Sequence, residues 1–267
     1  MKSVKNILAG LSYKFNGDFQ KIFDAIRNKQ RIEDTEVDEA LSNITTPFIT
    51  ILDADYPECF RNGVPKPPIV LYYKGDLSLL TNRDKYHYVG IVGSKRASKY
   101  EKNSIRDIVK DLGKDTVIVS GLDKGIDKEA HEAALDNNLK TIAILGNGID
   151  YIYPKENEDL YKRIVNKGGL ILSEYPAFVK PQPQQFIYRN RIIAGLSEFL
   201  LVAEAHDRSE TSITVNYALN AEATVGCIPY PINYKSLCNR LIKDGAILIE
   251  NSTDIIDQLR KKINLKS

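Results

Sequence analysis

The sequence predicts an α/β fold: a doubly wound, mostly parallel sheet with a small helical region at its N-terminal end. Three observations predict it. Apolar, strand-like runs recur six times, at residues 89–92, 117–119, 142–145, 170–172, 199–202 and 225–228, with helix-like stretches between them. The runs are continuous, not alternating, which suits strands buried on both faces of a parallel sheet. The first three runs end in glycine-bearing turns, where open sheets of this kind bind their ligands.

Taken in order, residues 1–46 read as a helical region. Ile7, Leu8, Leu11 and Phe15, then Phe19, Ile22, Phe23 and Ile26, recur at three- and four-residue spacings, and Gly17 separates the two short helices. The acidic run at residues 33–39 reads as a solvated helix start. Residues 47–85 read as a connector packed on the core. Two β-rich runs, 48–52 and 69–73, flank a rigid loop punctuated by Asp55, Pro57, Gly63, Pro65, Pro67 and Pro68. Residues 86–267 carry the strand–helix rhythm and form the expected sheet domain. No repeat of fixed period and no low-complexity tract interrupts them.

Composition narrows the function classes. A chain of 267 residues with 43% hydrophobic and 27% charged side chains is neither disordered nor fibrous, and it is long enough to bury a core. Thirty-seven Lys and Arg against 35 Asp and Glu exclude a generally basic coat but leave room for a local patch. Cys59, Cys227 and Cys238 are odd in number and form no CxxC pair, so they read as free thiols in a reducing compartment. The apolar run at residues 7–11 is too short for a signal peptide, and no stretch reaches the roughly 18 apolar residues of a membrane span. The expectation is a soluble, cytoplasmic protein without membrane association.

The turn at Gly93-Ser94-Lys95-Arg96-Ala97-Ser98 leads into a helix from about Lys99. Glycine permits the tight turn, backbone N–H groups and the Ser94 and Ser98 hydroxyls can face an anion, and Lys95 and Arg96 add charge. The bland alternative is a plain turn with an N-cap serine. The second turn, residues 120–127, again offers Ser120, Gly121, Lys124 and Gly125; the third, residues 146–150, offers Gly146 and Gly148. Three such turns on one edge imply close approach of a ligand to the backbone.

Residues 180–191 form a second feature: Lys180, Arg189 and Arg191 without an acidic residue, interleaved with Phe186 and Tyr188. Aromatic faces stack on unpaired bases while basic groups track phosphates. The alternative is a loop entering a helix at residues 189–196, with both rings packed inward. Residues 83–110 hold eight Lys or Arg against three Asp or Glu, a balance that favours a polyanion over a small metabolite.

Sharper motifs fail. Neither GxGxxG nor GxxxxGK[ST] occurs; His131-Glu132 lacks the second histidine of HExxH; there is no Gly-x-Ser-x-Gly elbow. No catalytic residue, metal or cofactor is expected, and His131 reads as a structural residue.

As a set, these blocks resemble the DNA-processing protein A family, also called DprA or Smf. They are residues 92–98, 120–127 with Ala130-His131, 145–150 with Tyr153-Pro154-Lys155-Glu156-Asn157, Ser173-Glu174-Tyr175-Pro176, 189–197 and 239–246. Upstream, Leu52-Asp53-Ala54-Asp55-Tyr56-Pro57 and Tyr73-Lys74-Gly75-Asp76 are similar to that family's entry to the core, so the likeness spans residues 48–250. The resemblance implies an extended Rossmann-like core that binds single-stranded DNA without catalysis. It also implies a homodimer that protects incoming DNA in natural transformation and loads the recombinase RecA, with residues 239–246 in its dimerising part. The family's phosphate-pocket arginine corresponds to Lys95, beside Arg96, and its pocket lysine to Lys124. The implied contact set is Gly93, Ser94, Lys95, Arg96, Ser98, Ser120, Gly121, Lys124, Gly125, Gly146 and Gly148, with Phe186, Arg189, Asn190 and Arg191 from the basic segment.

The chain departs from the family pattern in places. Lysine at 95 loses an arginine's bidentate grip unless Arg96 compensates. Residues 209–214 replace a Ser-Gly-Ser turn and bring in Glu210, and Ile228-Pro229-Tyr230-Pro231 replaces the usual Val-Pro-Gly. With the last residue at Ser267, no C-terminal winged-helix domain is expected. Two rival readings stand beside this one. A nucleotide- or nucleoside-monophosphate-binding enzyme or sensor of related fold could use Glu204 as a base, although the Pro-Gly-Gly-x-Gly-Thr loop of phosphoribohydrolases is absent. An interaction scaffold could recruit partners through the acidic N-terminal run.

Overall fold

A computed structural model describes residues 2–205, 210–232 and 234–264. Three helices come first: α1 (Val4–Lys14), α2 (Phe19–Arg27) and α3 (Asp34–Asn43). Ser3 and Asp18 cap the first two, and Gly17 at φ +74° makes the turn between them. The acidic run opens α3, where Glu33 and Glu36 close a capping box and favour the positive end of the helix dipole. Lys14 pairs with Glu36 at 2.7 Å and Lys2 with Asp38, tying α3 to α1.

Next come β1 (Phe48–Thr50), α4 (Glu58–Gly63), β2 (Val70–Gly75) and α5 (Ser78–Thr81). The stretch that reads as a rigid loop thus contains a helix, whose Phe60 is fully buried. The two β-rich runs become strands of the main sheet: β1 pairs with β2, and β2 with β6, both antiparallel.

The rhythmic region runs as β3 (His87–Val92), α6 (Lys99–Lys110), β4 (Thr116–Ser120), α7 (Ile126–Asp136), β5 (Lys140–Leu145), α8 (Glu158–Asn166) and β6 (Leu170–Ser173). It continues with α9 (Pro183–Leu196), β7 (Phe199–Val202), α10 (Glu210–Asn220), β8 (Thr224–Cys227), α11 (Leu237–Lys243), β9 (Ile247–Leu248) and α12 (Ser252–Asn264). All six predicted strands are present, and β9 adds a short seventh to the parallel part. The sheet order is β1-β2-β6-β5-β4-β3-β7-β8-β9, parallel from β6 to β9.

The chain moves outward from β3 to β6, and α9 carries it back to the other side of β3, where β7 begins the second half. The order therefore reverses between β3 and β7, and the crevice at their carboxyl ends is the switch point of a doubly wound sheet. Side-chain alternation explains the burial on both faces. Tyr88 and Val92 pack with Ile192, Ile193 and Val215 on one face, while Val89 and Ile91 pack with Ile105, Val109 and Ile255 on the other. Leu8, Leu11 and Ile22 of the N-terminal helices join Tyr72, Ile164 and Ile171 in a third cluster. Among the described residues no helix is long and apolar enough to cross a membrane.

Candidate functional site

The carboxyl edge of β3, β4 and β5 meets the N-terminal half of α9 at the switch point. A cleft there is lined by Val92, Gly93, Lys95, Asp123, Asp127, Arg189, Asn190 and Glu210, with Thr211 and Thr214. Three exposed cations, Lys95, Arg96 and Lys124, stand on the turns around it. The helix α6 begins where the sequence places it. Ser98 is its N-cap: the Ser98 hydroxyl accepts from Glu101 N–H, and the Glu101 carboxylate accepts from Ser98 N–H at 2.5 Å. Ser98 thus caps its own helix, the bland alternative for this residue. The Ser94 hydroxyl accepts from Arg96 N–H at 3.0 Å, and the buried Ser120 hydroxyl donates to the Ile91 carbonyl at 2.7 Å.

The glycines are close-approach sites, but the approaching group is the protein itself. A Cβ on Gly121 would overlap the Arg189 guanidinium, and Gly125, at φ +73°, lies under the Ser94 carbonyl. Gly93 faces Ile126, Gly146 faces Phe186, and Gly148 faces the carbonyls of Pro176 and Ala177. The inference that a ligand requires these glycines is therefore corrected: turn-to-turn and turn-to-helix packing requires them.

Arg189 and Arg191, expected to hold phosphate, are 2% and 1% exposed and engaged internally. Arg189 donates to the carbonyls of Gly121 (2.6 Å) and Ile144, to Asp123 (2.8 Å) and to Asn190 (2.9 Å), with Asp127 at 3.8 Å. It joins the ends of β4 and β5 to α9. Arg191 forms a two-pronged pair with Glu174, both contacts at 2.6 Å, and donates to the Lys66 carbonyl at 3.1 Å. Phe186 is 7% exposed, held between Tyr153 and the cations of Lys95 and Arg189, so its ring offers no free face for stacking. Residues 183–188 are helical, so the basic aromatic segment is the first half of α9 and not a loop.

At the floor of the cleft the charges pair internally, while Glu210 stands exposed at its margin. Asp123 and Asp127 face Arg189, and Lys95 reaches Asp123 at 3.6 Å. Burial, reinforced by Asp123 and opposed by Arg189, pushes the Asp127 carboxyl up to about 6. Buried His131 is held down at about 3, first by desolvation and then by Arg189. The Thr141 hydroxyl donates to the Ile118 carbonyl, so it accepts from His131 Nδ1, which fixes a neutral imidazole with its proton there. Lys124 pairs with Glu156 at 2.6 Å, both half exposed. The sequence reading missed these internal counter-charges, although Asp123 and Asp127 stand in the quoted turn. Glu204 follows β7 and is buried, and Ser209 of the altered turn lies outside the described residues, as does Ser267. No group of three or more metal-ligating side chains occurs among the described residues.

Fold and edge together define a Rossmann-like α/β protein whose carboxyl edge carries exposed cations around a cleft floored by internal ion pairs. Comparison with known proteins then identifies its relatives. The chain belongs to the DNA recombination-mediator protein A family, whose sequence profile matches residues 47–260. It is 42% identical over 212 residues to the DNA processing protein DprA of Streptococcus pneumoniae, covering 79% of this chain and 73% of that one. It is 40% identical over 215 residues to protein Smf of Synechocystis, covering 79% of this chain but 54% of its relative, about half that protein's length. The X-ray structure of S. pneumoniae DprA is similar at a TM-score of 0.78 and 36% identity, covering 96% of this chain and 93% of that one. DNA processing protein A of Helicobacter pylori, described for its single-stranded DNA binding mode, gives 0.71 at 30% identity, covering 82% and 99%. The family and the doubly wound fold expected from the sequence are both found.

Proposed function

We infer that this protein binds single-stranded DNA through the rim of its carboxyl edge and turns over no substrate. The observation that carries the reading is the row of exposed cations, Lys95, Arg96 and Lys124, on the turns after β3 and β4. They stand at the switch point of the sheet, where doubly wound folds take their ligands. In this reading phosphates sit against Gly93, Ser94 and the three cations, while Arg189 and Arg191 shape the edge from beneath. The Helicobacter pylori relative's single-stranded DNA binding supports the choice of ligand. The enzyme alternative is less well supported, because two of the carboxylates lining the cleft, Asp123 and Asp127, are tied to Arg189, and Glu204, the base that reading would use, is 1% exposed.

Family membership supports the wider role: a cytoplasmic recombination mediator that protects incoming DNA, loads RecA and works as a homodimer. Within it, residues 1–46 act as a helical appendage to the sheet domain. The test is fluorescence-polarisation binding to single-stranded and duplex oligonucleotides of equal length, titrated with salt. The reading expects the single strand to bind more tightly, with an affinity that falls steeply as salt rises. Equal affinity for both, or hydrolysis of a nucleoside monophosphate, would overturn it.

A further inference from the structure

Beside the cationic rim, on the opposite side from Phe186, three tyrosines form a ladder. Tyr230 and Tyr234 are stacked, with ring centroids 4.9 Å apart and planes 19° from parallel. Tyr100, one residue into α6, meets Tyr230 edge-on at 5.7 Å. Tyr230 stands where the family pattern has glycine, so the ladder is a departure of this chain from that pattern.

The ladder is held in place by its polar ends. The Tyr230 hydroxyl donates to the Ala203 carbonyl at 2.5 Å, and its backbone N–H and carbonyl are both bonded by the Asn239 side chain at 2.9 Å. The Tyr100 hydroxyl donates to the Pro229 carbonyl at 3.1 Å. Yet the outer rings remain open: Tyr100 is 51% exposed and Tyr234 40%. Large apolar faces fixed in place and left in water are costly unless something covers them. Rings already immobilised lose little further freedom when a ligand stacks on them.

Position and charge decide what covers them. Ala203 directly follows β7, which lies beside β3, and Tyr100 is four residues after Arg96 in the chain, so the ladder adjoins the side of the edge that carries the Lys95–Arg96 turn. Lys99 and Lys102, both exposed, flank Tyr100 on α6. The carboxylates of Glu101 and Glu204, which act on Tyr230 and Tyr234, are buried and leave the lysines as the charges at the surface beside Tyr100. Planar apolar faces bordered by cations suit an anionic chain of planar rings better than a protein surface.

We propose that Tyr100, Tyr230 and Tyr234 form a base-stacking platform for the stretch of single-stranded DNA next to the phosphates held at Lys95 and Arg96. This inference rests on the DNA reading above and adds what that reading lacks, a surface for bases in place of the buried Phe186. Stacking follows the π-face and not the base edge, so the platform tolerates any sequence.

The experiment compares an oligo-dT with an abasic oligonucleotide of the same length, on the wild-type chain, Y100A/Y234A and Y100F/Y234F. Tyr230 is left intact because its bonds to Ala203 and Asn239 hold the loop. The alanine variant should lose roughly five-fold or more in affinity for oligo-dT. Its affinity for the abasic strand and its salt slope should stay unchanged, and the phenylalanine variant should bind oligo-dT as the wild type does. An alanine variant that binds oligo-dT normally, or that loses both ligands equally, overturns the platform alone. A wild-type chain that binds neither oligonucleotide overturns the platform and the DNA reading together.

Discussion

Replacing Arg189 by methionine separates a structural arginine from a ligand-binding one. The side chain is 2% exposed, and its guanidinium donates to the Gly121 and Ile144 carbonyls and to Asp123, with Asp127 at 3.8 Å. Methionine matches much of the volume but leaves two carbonyls and Asp127 without their cation, and Asp123 with only Lys95 at 3.6 Å. Removing one partner of a buried ion pair costs about 3–5 kcal/mol. That is about a fifth or more of the roughly 5–15 kcal/mol that keeps a domain folded. The acids can relieve part of the cost by protonating, since Asp127 is already raised to about 6. The penalty should therefore be larger at pH 8 than at pH 5. Urea unfolding followed by circular dichroism at both pH values measures it. If R189M unfolds within about 1 kcal/mol of the wild type and instead loses DNA affinity, Arg189 is a ligand contact and its assignment as an internal clamp is wrong.

Other outcomes rest on the same geometry. Arg96→Ala with Lys124→Ala should weaken every single-stranded sequence by a similar factor and flatten the log–log salt slope by about 0.7 for each phosphate no longer neutralised, with thermal stability unchanged; an unaltered slope would remove these turns from the DNA path. Glu156→Gln frees Lys124 from its 2.6 Å partner and should tighten binding at low salt by a few-fold at most, whereas weaker binding would show Glu156 to be needed for it. His131 and Asp127 pull the pH profile in opposite directions: stability rises with pH between about 3 and 6.5 as the unfolded state gives up the proton that buried His131 never takes, and falls between 3.8 and about 6 as Asp127 is forced to ionise. The two contributions should largely cancel across the overlap, and His131→Gln should make the stability profile less steeply rising than the wild type's there, so a variant profile parallel to the wild type's would contradict the opposed-slope account.

The fold was largely legible because its signal is local and repeated. Runs such as Ile142–Leu145 and Phe199–Val202 are apolar at every position, which suits a strand covered on both faces, and their regular alternation with helix-like stretches marks them as strands. Elements with little signal of their own were not legible. Strand β9 is two residues long and exists through its ladder with β8, and α4 lies among prolines that read as loop. At the site, the turns and the exposed cations were read from the sequence, but the partners of those cations were not. Glu156 lies 32 residues from Lys124 and reaches it only once β5 and its following turn have folded beside β4.

The two arginines of α9 show why charge in a sequence is ambiguous. An arginine among aromatic residues without a nearby acid looks like a hand held out to phosphate. The counter-charge need not be nearby, however: Asp123 lies 66 residues before Arg189, and Glu174 lies 17 before Arg191. What could have settled the matter is the helix itself, which continues through Ile192, Ile193, Ala194, Gly195 and Leu196 with no polar face. A helical segment apolar all round is buried, and the arginines that immediately precede it on the same helix must find their partners inside. With both arginines committed beneath the surface to Asp123, Asp127 and Glu174, the cations left facing solvent on this edge are Lys95, Arg96, Lys124 and the lysines of α6, with Glu156 and Glu210 as the exposed acids beside them. A polyanion attracted to those cations would track the rim and leave the cleft unfilled. On this edge the buried charges set the shape, and the exposed cations are those the DNA reading proposes as its contacts.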